Sequence, residues 1–136
     1  MDIKTRIRGG NVEMGQAKEK LLKIVQKMNE NPKAQAVFVT NIAGKDVDWV
    51  MSFQFNLDQD IPFFLEIKNR LVNLSESSKT DANIMISGKS DAIVSICEGK
   101  GDFTHAISRE EIIVERGKVM DVIRFTRAIT IVLKSK

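Results

Sequence analysis

Gly88-Lys89-Ser90 stands between an apolar run and a helical pattern, where backbone amides and a lysine could hold phosphate oxygens. The complete phosphate-binding loop needs a further glycine at the position of Asn83, which lies inside a strand pattern, so the loop has no room to wrap a phosphate. His105 is the only histidine and sits between Asp102 and Ser108 on a short helical stretch. A serine–histidine–aspartate relay can be drawn through them, but no nucleophile-elbow sequence supports it. Cys97, among Ile93, Val94 and Ile96, has the surroundings of a small buried hydrophobe. One histidine and one cysteine do not build a typical zinc site, and Asp58-Gln59-Asp60 opens like a calcium loop but has Phe63 where glycine is needed. Asn73-Leu74-Ser75 has the spelling of a glycosylation sequon. No catalytic residue, metal or cofactor is therefore expected, and the chemistry left is that of apolar surface.

That surface must be positioned by a chain of 136 residues, 43% hydrophobic and 29% charged, the size and balance of one globular domain spanning residues 1–136. Residues 1–10 read as a flexible basic segment. A lone cysteine, no signal-peptide pattern and no run long enough to cross a membrane are the pattern of a cytoplasmic protein. The net charge of +3 comes from 21 basic residues interleaved with 18 acidic ones. Without an aromatic RNA-binding signature, this balance argues against nucleic acid as a partner and leaves a transient contact with an anionic membrane open.

Apolar residues at Met14, Ala17, Leu21, Ile24, Val25 and Met28 predict a helix from Val12 to about Asn29, ended by Pro32. Val47, Trp49, Met51, Phe53, Phe55 and Leu57 alternate with polar residues and predict one long strand with an apolar face. Strands follow at Phe63–Ile67 and Leu71–Ser75 across a tight turn at Lys68-Asn69-Arg70, and then at Asn83–Ile86. Helices from Ser90 to Glu98 and from Asp102 through Ser108, a strand at Ile112–Val114 and a final helix from Lys118 to Lys134 complete the order. Lys33–Gly44 reads as a strand through Val37-Phe38-Val39-Thr40 or as a short helix.

The final helix is too apolar for an ordinary surface helix. Val119, Val122, Ile123, Phe125, Ile129, Val132 and Leu133 cover about half its circumference, against roughly 100° for a core-facing stripe. Met120 and Ile131 lie outside that arc, beside Arg124 and Arg127. Such a helix is packed on two sides, in a core or a homodimer, or it is a lid over an apolar cavity.

The run from Trp49 through Asp81-Ala82-Asn83-Ile84-Met85-Ile86 to Ile96-Cys97-Glu98-Gly99-Lys100, with Ile112-Ile113-Val114-Glu115-Arg116-Gly117 and the closing helix, resembles the sterol carrier protein type two domain. The resemblance covers about two-thirds of the chain and rests on the order and spacing of individually weak motifs. It implies an α+β fold: a five-stranded, mainly antiparallel sheet covered by helices, with Lys33–Ala43 helical. It also implies non-enzymatic binding or transfer of a sterol, fatty acid, fatty acyl-CoA or phospholipid in an apolar tunnel. Arg109-Glu110-Glu111 and Lys118 depart from the family's usual glycine and aspartate near the tunnel mouth.

The residues expected to line that tunnel are Trp49, Met51, Phe53, Phe55, Ile84, Ile86, Ile93, Phe103, Val119, Val122, Ile123 and Phe125. Burying ligand carbons there would contribute about 0.8 kcal/mol per CH₂. An empty void of about 300 Å³ would cost on the order of 7 kcal/mol, comparable to a whole domain's stability, so the tunnel should be filled, wetted or closed by a partner. The alternative is an interaction or dimerisation module, accessory to a lipid- or quinone-related enzyme.

Overall fold

A computed structural model describes residues 15–135. The start predicted for the first helix and the basic segment 1–10 lie outside them. α1 runs Gln16–Met28 and buries Ala17, Leu21, Ile24, Val25 and Met28, the stripe its spacing predicts. Its first turn is held from a distance: the buried Asp60 carboxylate accepts from the Ala17 backbone N–H at 3.1 Å. Asn31 then caps α2, Pro32–Gln35, by accepting from the backbone of Lys33 and Ala34.

The structure corrects the helical reading of Lys33–Ala43. Only Pro32–Gln35 is α-helical, followed by a 3-10 turn at Ala36–Phe38. Val39–Ile42 (β1) and Lys45–Asp48 (β2) form a separate antiparallel hairpin, with Thr40 opposite Val47. Its two-residue turn, Ala43-Gly44, has both φ angles positive, 53° and 83°. That is the backbone of a hairpin turn whose twist suits flanking strands, built with alanine where asparagine or aspartate usually signals it. The long strand predicted from Val47 is consequently two strands. The chain breaks at Trp49-Val50, and β3 is Met51–Leu57.

β4 (Phe63–Lys68), β5 (Leu71–Glu76), β6 (Ile84–Gly88) and β7 (Ile112–Arg116) join β3 in a sheet of order β5-β4-β3-β6-β7. The sheet is mixed: β3 and β6 are parallel, with Phe53 opposite Ile84, and the other three pairings are antiparallel. Asn69 and Arg70, at φ 54° and 65°, make the tight turn expected between β4 and β5. α3 (Ser90–Cys97), α4 (Phe103–Ser108) and α5 (Val119–Lys134) complete the chain.

One sheet face carries Phe53, Phe55, Phe63, Leu65, Ile67, Val72, Ile84 and Ile86, all buried beneath the helices. The segment between β5 and β6 crosses the opposite face. There Gln54, whose place in the alternation is polar, is fully buried and satisfied: its Nε2 donates to the Ser77 carbonyl at 3.0 Å and its Oε1 accepts from Lys79 N at 2.7 Å. Arg116 fastens the end of this crossing by donating to the carbonyls of Thr80 and Ala82.

Candidate functional site

α5 lies over the sheet because Val122, Phe125, Ala128, Ile129 and Val132 fall on one face of it, and each of these is buried. Phe125 meets Phe53 at 5.2 Å between ring centroids, and Phe53 continues to Phe55 at 6.2 Å and Phe55 to Phe63 at 4.8 Å. Trp49 adds to this seam edge-on to Phe53 at 6.5 Å and stacked on Phe38 at 6.1 Å. Such pairs add about 0.5–1.5 kcal/mol each beyond the area they bury. The space beneath α5 is thus occupied by rings of the protein itself.

Of the twelve residues that the sequence assigns to a tunnel wall, the structure brings Phe53, Phe55, Ile84, Ile86, Ile93, Phe103, Val122 and Phe125 into one core, each at most 1% exposed. Trp49 and Met51 are half-buried and pack against its margin, Ile123 is half-buried without joining it, and Val119 is 42% exposed. Met120, beside it, is 72% exposed.

Two open grooves reach α5, the first touching it only at Val119. One, of about 550 Å³, is lined by Ile107, Glu110, Ile112, Ile113, Val114 and Val119 and is mainly apolar. The other, of about 580 Å³, lies between α5 and the β1–β2 hairpin and has Arg124, Arg127 and Ile131 on one wall, Val37, Val39 and Thr40 on the other. Arg124 crosses from helix to hairpin. Its Nε donates to the Val37 carbonyl at 2.8 Å, its Nη2 donates to the Thr40 hydroxyl at 3.0 Å, and its guanidinium stands 4.4 Å from the Trp49 ring centroid. Burial and the neighbouring Arg127 hold its pKa below the usual arginine range, with Asp121 acting in the opposite sense. The sequence placed Arg124 and Arg127 beside the helix's surplus apolar residues but did not make them site residues. The signal was their spacing with Met120 and Ile131 along one helical stripe.

The motifs that looked catalytic have structural partners. The α3 N-terminus, where a phosphate would sit, is taken by Asp58: its carboxylate accepts from Ser90 N at 2.8 Å, and the Ser90 hydroxyl donates to its carbonyl. Asp102 caps α4, its carboxylate accepting from His105 N at 2.8 Å, and also meets His105 Nδ1 at 3.1 Å. Lys89 and His105 do line a common cleft of about 410 Å³, but Asp91, Asp102 and Glu111 share it. Burial pushes the Cys97 thiol up to about 12, so it carries almost no thiolate at neutral pH. Among the described residues, no group of three or more histidines, cysteines and carboxylates could hold a metal ion, and no helix is long and apolar enough to cross a membrane.

No protein-family model and no curated protein sequence matches the chain. Solved structures do. The chain aligns with a UbiJ-SCP2 ubiquinone synthesis protein over 86% of its own length and 94% of that chain, at 14% identity and a TM-score of 0.60. The sterol carrier protein 2 of Aedes aegypti, solved in complex with palmitate, aligns over 84% of this chain and 94% of its own, at 17% identity and a TM-score of 0.51. The Pseudomonas sec-alkylsulfatase Pisa1 matches 58% of this chain at 15% identity and a TM-score of 0.52, and the chain covers only 13% of that enzyme's length. The mixed five-stranded sheet and the long closing helix match these structures: this chain has the sterol-carrier-protein fold.

Proposed function

We propose that the protein binds and carries an amphiphile, such as a fatty acid, fatty acyl-CoA, sterol or phospholipid, at the seam between α5 and the sheet. The observation that carries this reading is the Trp49–Phe53–Phe125 seam with an open groove beside it, between α5 and the β1–β2 hairpin, where Arg124 stands over Trp49. The groove's volume falls in the range of ligand pockets, roughly 300–1,000 Å³. The buried face of α5 is apolar and its backbone hydrogen bonds are internal, so a shift of the helix away from the sheet must break, or carry with it, the two hydrogen bonds of Arg124 to the hairpin. A ligand chain that replaces Phe125 and Val122 against the sheet then takes over the same kind of contact. The palmitate complex of a protein with the same fold supports a single acyl chain as the simplest occupant. The role proposed is carriage without catalysis, and the buried unpaired Cys97 is compatible with a reducing, cytoplasmic setting.

Trp49 is the only tryptophan and lies at the seam, so its fluorescence reports on occupancy. Titration with palmitate should give a saturable change, and organic extraction of purified protein followed by mass spectrometry should recover lipid near one equivalent per chain. No saturable change together with no extracted lipid would overturn the reading.

A second reading is supported by the exposure of Ile113 at 51% and Met120 at 72%, one on the edge strand β7 and the other at the start of α5. In it, this edge docks on a second copy or on an enzyme of lipid or quinone metabolism, as the likeness to the UbiJ-SCP2 domain suggests. Sedimentation at several concentrations separates the cases, since a concentration-independent monomer removes self-association.

A further inference from the structure

The groove between α5 and the β1–β2 hairpin differs from the other clefts in its charge. It holds two arginines and no carboxylate, whereas the cleft between α3 and α4 sets Lys89, Lys100 and Arg109 against Asp91, Asp102 and Glu111. The groove beside Val119 has a glutamate and no cation. Arg124 is immobilised by Val37, Thr40 and Trp49, and two of its five N–H donors are used in doing so. Arg127, one turn further along, is exposed on the same wall. Two like charges on successive turns repel, and Arg124 is partly desolvated as well, so both arginines gain from an anion placed between them. Beside them, Val37, Val39 and Ile131 offer apolar surface that a free inorganic anion would not use.

We infer that this groove holds the anionic head group, carboxylate or phosphate, of the carried amphiphile, with Arg124 and Arg127 on the head and Val37, Val39 and Ile131 beneath its first carbons. The inference rests on the amphiphile-binding function proposed above and narrows its ligand class to anionic lipids. Neutral sterols and alcohols fill the seam but leave the arginines without a counter-charge. Arg124 then serves two purposes, fixing the hairpin to α5 and presenting its remaining donors to the ligand.

Calorimetric titration with dodecanoate, dodecyl phosphate and dodecanol tests this on the wild type, Arg127→Gln and Arg127→Lys. Arg127 is exposed, so both variants should melt at the wild-type temperature. The wild type should bind the two anions at least about tenfold tighter than the alcohol, as charge-assisted hydrogen bonds to one head group imply. Arg127→Gln should lose that preference while keeping dodecanol affinity, and Arg127→Lys should retain most of it. Equal affinity for anion and alcohol in the wild type, or a preference that survives Arg127→Gln, overturns the head-group site and leaves amphiphile binding standing. Failure of all three ligands to bind overturns both. Inorganic phosphate that displaces dodecyl phosphate at equal concentration would make the groove a free-anion site. Binding to mixed phosphatidylcholine and phosphatidylglycerol vesicles without binding to any dodecyl ligand would make it a membrane contact, and either result overturns the inference.

Discussion

The side chain of Asn29 pairs with the backbone of Val72 as another strand would: its Nδ2 donates to the Val72 carbonyl at 2.9 Å, and its Oδ1 accepts from Val72 N at 2.8 Å. Val72 belongs to β5, an edge of the sheet, and one amide therefore both fixes the end of α1 and closes part of that edge. Asn29→Ala should destabilise the protein by about 1–3 kcal/mol through two lost hydrogen bonds. Asn29→Asp should be at least as destabilising, because its second carboxylate oxygen would face the Val72 carbonyl where Nδ2 now donates, setting two acceptors against each other with no proton between them. Urea unfolding of the three proteins checks the order.

Gly88 is a second point where one atom decides. Its φ is 136°, and a Cβ built there would lie 2.2 Å from the Glu111 carbonyl oxygen, where β6 and β7 meet at the start of α3. Gly88→Ala should cost about 2–6 kcal/mol from backbone strain and overpacking combined. Gly101→Ala is the control, since nothing lies within 4 Å of its Cβ position. Thermal unfolding should separate the two by many degrees, and a Gly88→Ala melt at the wild-type temperature would contradict the close approach.

Asp60 gives a pH signature with a defined sign. Burial raises its folded-state pKa above the ordinary aspartate value, against the lowering effect of the backbone N–H groups of Lys18, Ala17 and Ile61. Between the unfolded and folded pKa values the folded state holds the extra proton. The contribution of this group is fully present below the unfolded value and is lost as pH rises through the folded one. Asp60→Asn removes that dependence. The stability of the variant relative to wild type should therefore rise across the acid range towards neutral pH, as followed by urea unfolding at a series of pH values. A difference that moves the other way would mean that the N–H groups outweigh burial.

Phe125→Ala tests the seam and the function together. Loss of a fully buried phenylalanine costs about 3–5 kcal/mol. The cavity so made lies where the ligand chain is proposed to go, and a ligand bound only by the folded protein restores about 2.7 kcal/mol at a hundredfold excess over its Kd. Palmitate should therefore raise the melting temperature of Phe125→Ala by more than that of the wild type. Equal shifts in the two proteins would place the ligand away from the seam.

The alternation from Met51 to Leu57 made β3 legible because a half-buried strand must repeat every second residue, and the stripe of α1 was legible for the corresponding helical reason. The β1–β2 hairpin was missed because Ala43-Gly44 lacks the asparagine or aspartate that marks such turns, and Val47 appeared to continue the pattern of β3. Gln54 and Asp60 were hidden by their type. Each is polar in sequence, and each is buried only because a distant segment, residues 77–79 for one and the first turn of α1 for the other, brings its backbone to meet it. The apolar residues under α5 were identified as a group, since hydrophobic pattern reports burial. Whether a buried residue faces a neighbouring ring or a ligand depends on packing, which pattern does not encode. The arginine groove needed the hairpin in place, because its second wall is β1.

The parallel pairing of β3 with β6 has a kinetic consequence. The β4–β5 hairpin closes over a two-residue turn and can form early, but β3 gains its second neighbour only after the chain has travelled through β4, β5 and the crossing segment. Until then β3 is an edge strand that exposes the alternating Phe53 and Phe55 on one face and unpaired backbone along one side. A nascent or refolding chain is at its most adhesive in that interval, when a second molecule's β3 could take the place reserved for β6.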